Sequence, residues 1–433
     1  MKALVIATFA LFSSCSVSAA ETDQVKQGEY LARAGDCVAC HTAKDGKPFA
    51  GGLPMETPIG VIYSTNITPD KNTGLGNYSF EDFDKAVRHG VAKNGSTLYP
   101  AMPYPSYARV SDNDMQALYA YFMKGVEPVA QENKDSDIPW PLSMRWPLAA
   151  WRWMFAPAVG EPPVQAAADP VISRGAYLVE GLGHCGACHT PRALTMQEKA
   201  LSATDGNAFL SGSAPLEGWI AKSLRGDHKD GLGNWSEEQL VQFLKTGRSD
   251  RSAVFGGMSY VIVHSMQYMS QDDLTAIARY LKSLPAVDPK NPPHQYDQQV
   301  AQALWKGDDS KPGASVYIDN CAACHRTDGH GYTRVFPALA GNPVLQTADA
   351  TSLINIVLNG GTLPATHAAP STFTMPAFAW RLSDQEVADV VSFVRGSWGN
   401  KGAPVKASEV ADLRKNDMRT TSGDDLGQVT QKH

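Results

Sequence analysis

Apolar side chains recur at every third or fourth position from Ser79 to Gly90, from Ser236 to Gly247 and from Thr351 to Gly360. That spacing lays one apolar stripe along a helix, so each segment predicts a helix with one face in a core. Ser111 to Lys124, Ser270 to Leu284 and Ser383 to Arg395 carry the same pattern and predict a second, closing helix behind each of the first three. All three closing segments open on a serine followed by acidic residues. A serine hydroxyl can accept from a backbone N–H that the first turn leaves unpaired, and carboxylates there meet the positive end of the helix dipole. Shorter helical patterns lie further upstream, at Gly28-Glu29-Tyr30-Leu31, Gly175-Ala176-Tyr177-Leu178 and Gly313-Ala314-Ser315-Val316-Tyr317. The same order of elements thus appears three times, joined by Gly/Pro-rich loops, which predicts a mainly α fold of three tandem modules.

Three segments stand outside this repeat. Met1 to Ala20 runs from Lys2 through the apolar stretch Ala3 to Phe12 into the small residues Ser16, Val17, Ser18, Ala19 and Ala20. It reads as a secretory signal peptide, too short in its apolar part to span a bilayer, and places the protein outside the cytoplasm. A competing reading makes Cys15, behind Leu11-Phe12-Ser13-Ser14, the acylated cysteine of a lipoprotein. Trp140 to Pro157 gathers four tryptophans with Arg145 and Arg152, the composition of an interfacial membrane segment with rings at headgroup level and guanidinium groups on phosphate. Docking of a partner subunit or internal packing would use the same residue types. The tail from Ser408 to His433 is polar without a clear stripe and reads as disordered or as wrapping a partner.

The 433 residues carry 38 Lys plus Arg against 44 Asp plus Glu, a formal charge of −6, so no global positive field exists to hold nucleic acid. With 43% hydrophobic residues the chain has ample core material, and disorder as a whole is excluded. Cysteine changes the picture most. Six of the seven fall in three identical patterns: Cys37-Val-Ala-Cys40-His41, Cys185-Gly-Ala-Cys188-His189 and Cys321-Ala-Ala-Cys324-His325.

On a helical turn, residues i, i+3 and i+4 share a face, so both thiols and the imidazole of C-x-x-C-H point the same way. The thiols can add to the two vinyl groups of a haem while the histidine ligates the iron, and this spacing is the attachment signature of c-type haem. At this chain's Cys and His frequencies a chance match is expected on the order of 0.003 times, so three are not composition noise. A zinc site would need paired clusters closer together, and a thioredoxin-like centre would need a βαβ setting that no motif has. The string Gly181-Leu182-Gly183-His184-Cys185-Gly186 matches GxGxxG by letter only, without the strand such a fingerprint requires. Three covalently bound haems c are therefore expected, one per module.

The sixth iron position calls for a soft or imidazole ligand from the loop ahead of each closing helix. Pro100-Ala101-Met102-Pro103 and Phe373-Thr374-Met375-Pro376 offer Met102 and Met375 on proline-stiffened loops. The second module offers Met258, Met266 and Met269, with His264 a further possibility. Met258 follows Gly256-Gly257, whose backbone freedom favours it, and Met266 comes next. With every iron six-coordinate, no open position remains for substrate, so no catalytic residue is assigned. A free periplasmic carrier and a haem enzyme, such as a peroxidase, are the competing classes.

These residues, read together, resemble the triheme cytochrome c subunits of bacterial membrane-bound periplasmic dehydrogenases. The resemblance rests on Gly28-Glu29-Tyr30-Leu31-Ala32-Arg33, on Pro58-Ile59-Gly60-Val61-Ile62-Tyr63-Ser64-Thr65-Asn66-Ile67-Thr68-Pro69-Asp70 and on Tyr99-Pro100-Ala101-Met102-Pro103-Tyr104. Trp140-Pro141-Leu142-Ser143-Met144-Arg145-Trp146-Pro147 and Ala253-Val254-Phe255-Gly256-Gly257-Met258 extend it. It implies an electron-transfer subunit that takes electrons from a flavoprotein or quinoprotein dehydrogenase subunit, with a small third subunit possible in the complex, and passes them to ubiquinone. The gluconate-type complexes look nearest because the tail after Trp398 is short. Met102, Met258 and Met375 match the family's presumed axial ligands. No membrane helix follows Arg395, unlike some fructose-oxidising relatives, so anchoring at the periplasmic face of the cytoplasmic membrane is sought in Trp140–Pro157. The expected organisation is a signal peptide over 1–20, cytochrome c domains over 21–128, 169–289 and 305–400, linkers over 129–168 and 290–304, and a tail over 401–433.

Overall fold

The computed structural model describes residues 21–160, 169–216 and 218–420, with side chains through Lys415. The signal peptide, Cys15 and the end of the tail lie outside the described residues. Helices dominate, and the strands of the described residues form two small antiparallel pairs. Strand β1 (Pro54–Thr57) pairs with β2 (Gly60–Tyr63), with Pro54 opposite Tyr63, and β3 (Gly361–Thr362) pairs with β4 (Thr374–Met375), with Gly361 opposite Met375.

The helices begin where the sequence places them, for the capping reason given. Ser79 accepts from the Asp82 N–H while the Asp82 carboxylate accepts from the Ser79 N–H, a reciprocal box that starts the helix Phe80–His89. Ser236 with Gln239 and Ser383 with Glu386 repeat it at Glu237–Thr246 and Asp384–Arg395. Ser111 and Ser270 cap Asp112–Lys124 and Gln271–Ser283 by accepting from Asp114 and Asp273 N–H groups.

The chain packs as two compact units. The first holds the described residues up to 160 together with Tyr177–His184; the second holds those from 169 to Ala176 and from Cys185 onward. The stretch just before the second C-x-x-C-H motif packs in the first unit. It is a π-type turn, Tyr177–Leu182, broken at Gly181, and Tyr177 donates its hydroxyl to Asp114 at 2.6 Å while Leu182 joins the core of Leu31, Phe83, Met115 and Phe122.

The recurring glycines ahead of each motif have one shared role. A methyl group at Gly28 would stand 1.9 Å from the Ala117 carbonyl oxygen, one at Gly175 would stand 2.1 Å from that of Ala276, and one at Gly313 would stand 2.3 Å from that of Asp389. In every module the lead helix crosses the closing helix backbone on backbone, and only glycine leaves room. In the second module the crossing is also pinned by a fork-to-fork pair, Arg174 Nε and Nη2 to the Asp273 carboxylate at 2.8 and 2.9 Å.

The second and third modules share the second unit and are bonded directly. The Ile220 N–H donates to Ser352 Oγ at 2.9 Å, Asn355 Nδ2 donates to the Gly218 carbonyl, and the His367 N–H donates to Gln267 Oε1 at 3.1 Å. The tail corrects the sequence-based expectation of disorder. Residues Ala407–Thr420 form a helix whose Val410 is fully buried in the third module's core. Arg414 secures it with bonds to the Asp384 carboxylate (2.7 Å) and to the Ala379 and Leu382 carbonyls (2.6 and 2.9 Å). Ala407 and Leu413 pack beside Val410, a pattern too sparse to register as a stripe.

Candidate haem sites

Each C-x-x-C-H motif forms a single helical turn. The N–H groups of His41, His189 and His325 donate to the carbonyls of Cys37, Cys185 and Cys321 at 3.0, 2.9 and 2.9 Å, which brings cysteine and histidine to one side. The imidazoles are then oriented identically. Nδ1 lies 2.7 Å from the Thr65 carbonyl for His41, 2.8 Å from the Lys222 carbonyl for His189 and 3.0 Å from the Pro337 carbonyl for His325. A carbonyl only accepts, so in each ring Nδ1 carries the hydrogen and Nε2 presents a lone pair. Burial pushes all three imidazoles below their usual pKa, so they are neutral, the form that ligates a metal. Burial also pushes the Cys37, Cys185 and Cys321 thiols up to about 12. They are thiols rather than thiolates, and all six described cysteines are free of disulfides. Among the described residues no three or more His, Cys, Asp or Glu side chains are grouped as a metal-ion cluster.

The methionines divide into two sorts. Met102, Met258 and Met375 are partly exposed: Met102 in the turn between Tyr99 and Tyr104, Met258 opening the helix Met258–His264, Met375 in strand β4. Met266 and Met269, at 5% and 2% exposure, are enclosed by the protein's own core and have no open side to offer an iron. Gly256 prepares Met258's approach, because its φ of 65° and missing side chain let the Trp219 ring close beneath the loop. His264 stacks on Tyr260 in near-parallel rings 6.2 Å apart. In the first module Cys37 and Met102 pack against the same core.

Beyond these residues, the structure brings in several that the motif reading missed. Trp235 Nε1 is buried without an acceptor in the protein, and the Lys222 ammonium lies 5.4 Å from its ring while the Lys222 carbonyl holds His189. Burial lowers the Lys222 pKa to about 7. An unsatisfied indole N–H and a half-buried lysine beside His189 suit the carboxylate edge of a haem. Their signal in the sequence was the repeat Gly231-Leu232-Gly233-Asn234-Trp235-Ser236 of Gly74-Leu75-Gly76-Asn77-Tyr78-Ser79. Glu198 is the other omission: its carboxylate occupies the space a side chain at Gly186 would need, 2.4 Å from that position, and burial pushes its pKa up to about 7.

The tryptophan segment forms the helix Trp146–Phe155 with no buried residue. Trp140, Trp146 and Trp153 are 80%, 71% and 83% exposed, with Leu142, Met144 and Met154 exposed beside them. Arg145 lies over the Tyr99 ring at 3.8 Å and donates to the Thr97 carbonyl, and Arg152 donates to the His89 carbonyl, each at 3.3 Å. Both guanidinium groups are thus held on the module's own ring and carbonyls, Arg152 half-buried and Arg145 still exposed. No helix among the described residues is long and apolar enough to cross a membrane.

The family model described as Cytochrome c matches residues 25–125 and 310–398. The gluconate 2-dehydrogenase cytochrome c subunit of Pantoea cypripedii is 65% identical over 96% of this chain and 95% of its own length. The alcohol dehydrogenase (quinone) cytochrome c subunit of Gluconacetobacter polyoxogenes is 57% identical over 91% of this chain and 85% of its own. The fructose dehydrogenase cytochrome subunit of Gluconobacter japonicus is 37% identical over 92% and 84%.

Proposed function

The chain belongs to the family of gluconate 2-dehydrogenase and alcohol dehydrogenase (quinone) cytochrome c subunits, and from that premise we propose that it carries three haems c and conducts electrons from a dehydrogenase catalytic subunit to ubiquinone. The observation that carries the count is the threefold repetition of one device: an imidazole held through Nδ1 by a backbone carbonyl, with Nε2 offered to an iron, at His41, His189 and His325. The second motif lies outside the stretches matched by the family model, yet it has the same turn and the same carbonyl bond to the imidazole Nδ1.

Bound haem supplies a reversible one-electron couple. The protein's part is attachment, ligation and control of surroundings. Cys37 with Cys40, Cys185 with Cys188, and Cys321 with Cys324 form the thioether links. Met102, Met258 and Met375 would each offer a thioether to an iron, a ligand that favours the reduced state and raises the potential. Enclosure of Met266 and Met269 in the core supports Met258 as the ligand of the second site.

The catalytic partner in this reading is an FAD-dependent subunit oxidising gluconate or a related sugar acid or polyol. The 65% identity to the gluconate relative against 57% to the alcohol relative supports it. The protein works on the periplasmic side of the cytoplasmic membrane after export, and the exposed face of Trp140, Trp146 and Trp153 rests in the bilayer interface.

The test is to purify the holoprotein from membranes in mild detergent and to measure covalent haem by mass, together with the polypeptides and non-haem cofactor that accompany it. Three haems and a copurifying flavoprotein that reduces ubiquinone with gluconate are expected. A quinoprotein partner would shift the assignment to alcohol oxidation, and a chain that leaves the membrane alone in salt would overturn the complex.

A further inference from the structure

Arg248 follows the helix Glu237–Thr246 of the second module, yet its guanidinium is spent on the third. It is 6% exposed. Nη2 donates to the Ala369 carbonyl at 3.1 Å and to that of Ser371, Nη1 reaches the Arg334 carbonyl at 3.5 Å, and the guanidinium carbon lies 5.3 Å from the centre of the Phe373 ring. These contacts fall on both sides of the third site. Arg334 stands three residues before Pro337, whose carbonyl holds His325, while Ala369, Ser371 and Phe373 lead into Met375. The edge-on contact of Phe336 with Phe373, 5.8 Å between centres, joins the same two loops.

The root of Arg248 is equally fixed. Its N–H donates to Thr246 Oγ1, it bridges Ala253 across a short loop, and that loop continues through Phe255 to Met258. The Phe255 ring sits against Gly361, where a methyl group would meet it at 2.7 Å, and Gly361 is the partner of Met375 in the β3–β4 pair. No acidic side chain among the described residues forms an ion pair with Arg248, and its buried Nε has no acceptor. A whole positive charge therefore stands in a buried junction between the two distal loops.

We infer that Arg248 is a positioning residue for the third haem site, clamping the loop that leads into Met375 to the loop whose Pro337 carbonyl orients His325, and holding a fixed positive charge beside them. The inference rests on the reading of His325 and Met375 as those ligands. The clamp keeps the thioether within bonding reach, and the charge disfavours the oxidised, more positive iron, so both effects raise the potential of this one site. A residue of the second module thereby sets the properties of the third.

The test uses the full-length holoprotein and two variants, Arg248→Met and Arg248→Lys, read by the sulfur-to-iron charge-transfer band and by a redox titration that resolves the individual waves. Met375→Leu identifies the wave of the third site. Arg248→Met is expected to move that wave to lower potential and to remove up to one site's share of the band, with the other waves in place. Arg248→Lys, which keeps the charge and loses the fork, is expected to hold the potential closer to that of the parent while still weakening the band; it carries the test if the Met chain fails to mature. A band and waves unchanged in both variants, or all waves shifted alike, would overturn the inference. A Met375→Leu chain that keeps the full band would instead overturn the ligand assignment beneath it.

Discussion

Gly28 meets the Ala117 carbonyl so closely that a single methyl group would come within 1.9 Å of the oxygen. Real carbon–oxygen contacts never approach that distance, and the obstacle is backbone, which cannot rotate away as a side chain can. Gly28→Ala is therefore expected to force the two helices apart and to cost roughly 2–3 kcal/mol, as are Gly175→Ala and Gly313→Ala. Gly396→Ala, where the nearest atom is 3.5 Å away and φ is negative, is the matched control and should change stability little. Thermal melts of the four holoproteins measure the difference.

Met258, partly exposed, and Met266, enclosed, offer a test of the proposed second ligand within one short stretch. Met258→Leu is expected to remove one site's share of the sulfur-to-iron band and to lower one potential, with little loss of stability. Met266→Leu, in a site enclosed by protein, should leave the band whole and cost under about 1.5 kcal/mol as a near volume-conserving swap. The reverse pattern would move the second distal ligand to Met266.

The face around Trp146 predicts an unusual salt response. Because Arg145 and Arg152 are committed to the Tyr99 ring and to the Thr97 and His89 carbonyls, binding to vesicles should be nearly independent of ionic strength and of anionic lipid. Replacing Trp140, Trp146 and Trp153 together by alanine should reduce partitioning by more than about tenfold. Flotation of the holoprotein with zwitterionic vesicles at low and high salt distinguishes this from a guanidinium-driven contact.

Glu198 makes stability depend on pH. Its folded pKa, raised from 4.5 to about 7 by burial, means that the folded state holds its proton more tightly than the unfolded chain does. Stability from this group is fully present below the unfolded value and is lost as pH rises through the folded one, by on the order of 3 kcal/mol in total. Glu198→Gln should flatten the melting temperature between those two pH values. A slope that persists in the variant would assign it to another group.

The helix Ala407–Thr420 is expected to stabilise the third module. Val410→Ala should cost roughly 1–2 kcal/mol, and Arg414→Ala should cost a comparable amount by freeing the carbonyls of Ala379 and Leu382. Differential melting that follows the third site's haem absorption would register both.

Much of this protein is local chemistry and was open to a reading of the sequence alone. The i, i+3, i+4 spacing of Cys37, Cys40 and His41 places three side chains on one face of a turn whatever surrounds it. Ser79, Ser236 and Ser383 begin helices because the capping partner lies three residues away. The glycines at 28, 175 and 313 were visible as a repeat, although their purpose was not, since the carbonyls they accommodate lie some 80 to 100 residues further on.

Tertiary structure decided whatever depended on distant neighbours. Enclosure distinguishes Met258 from Met266 and Met269, and enclosure is a property of the packed core that spacing cannot express. The inward turn of Arg145 and Arg152 depends on carbonyls dozens of residues upstream, and the docking of Val410 depends on a pocket the third module completes. Arg248 shows the limit most clearly. Its residue type suggests a solvated surface charge, and only the fold brings the carbonyls of Arg334, Ala369 and Ser371 around it. Sequence determines what a short segment can do by itself, because backbone geometry is the same in every protein. Which charges are buried, and against what, is determined by the free energy of the whole packed chain.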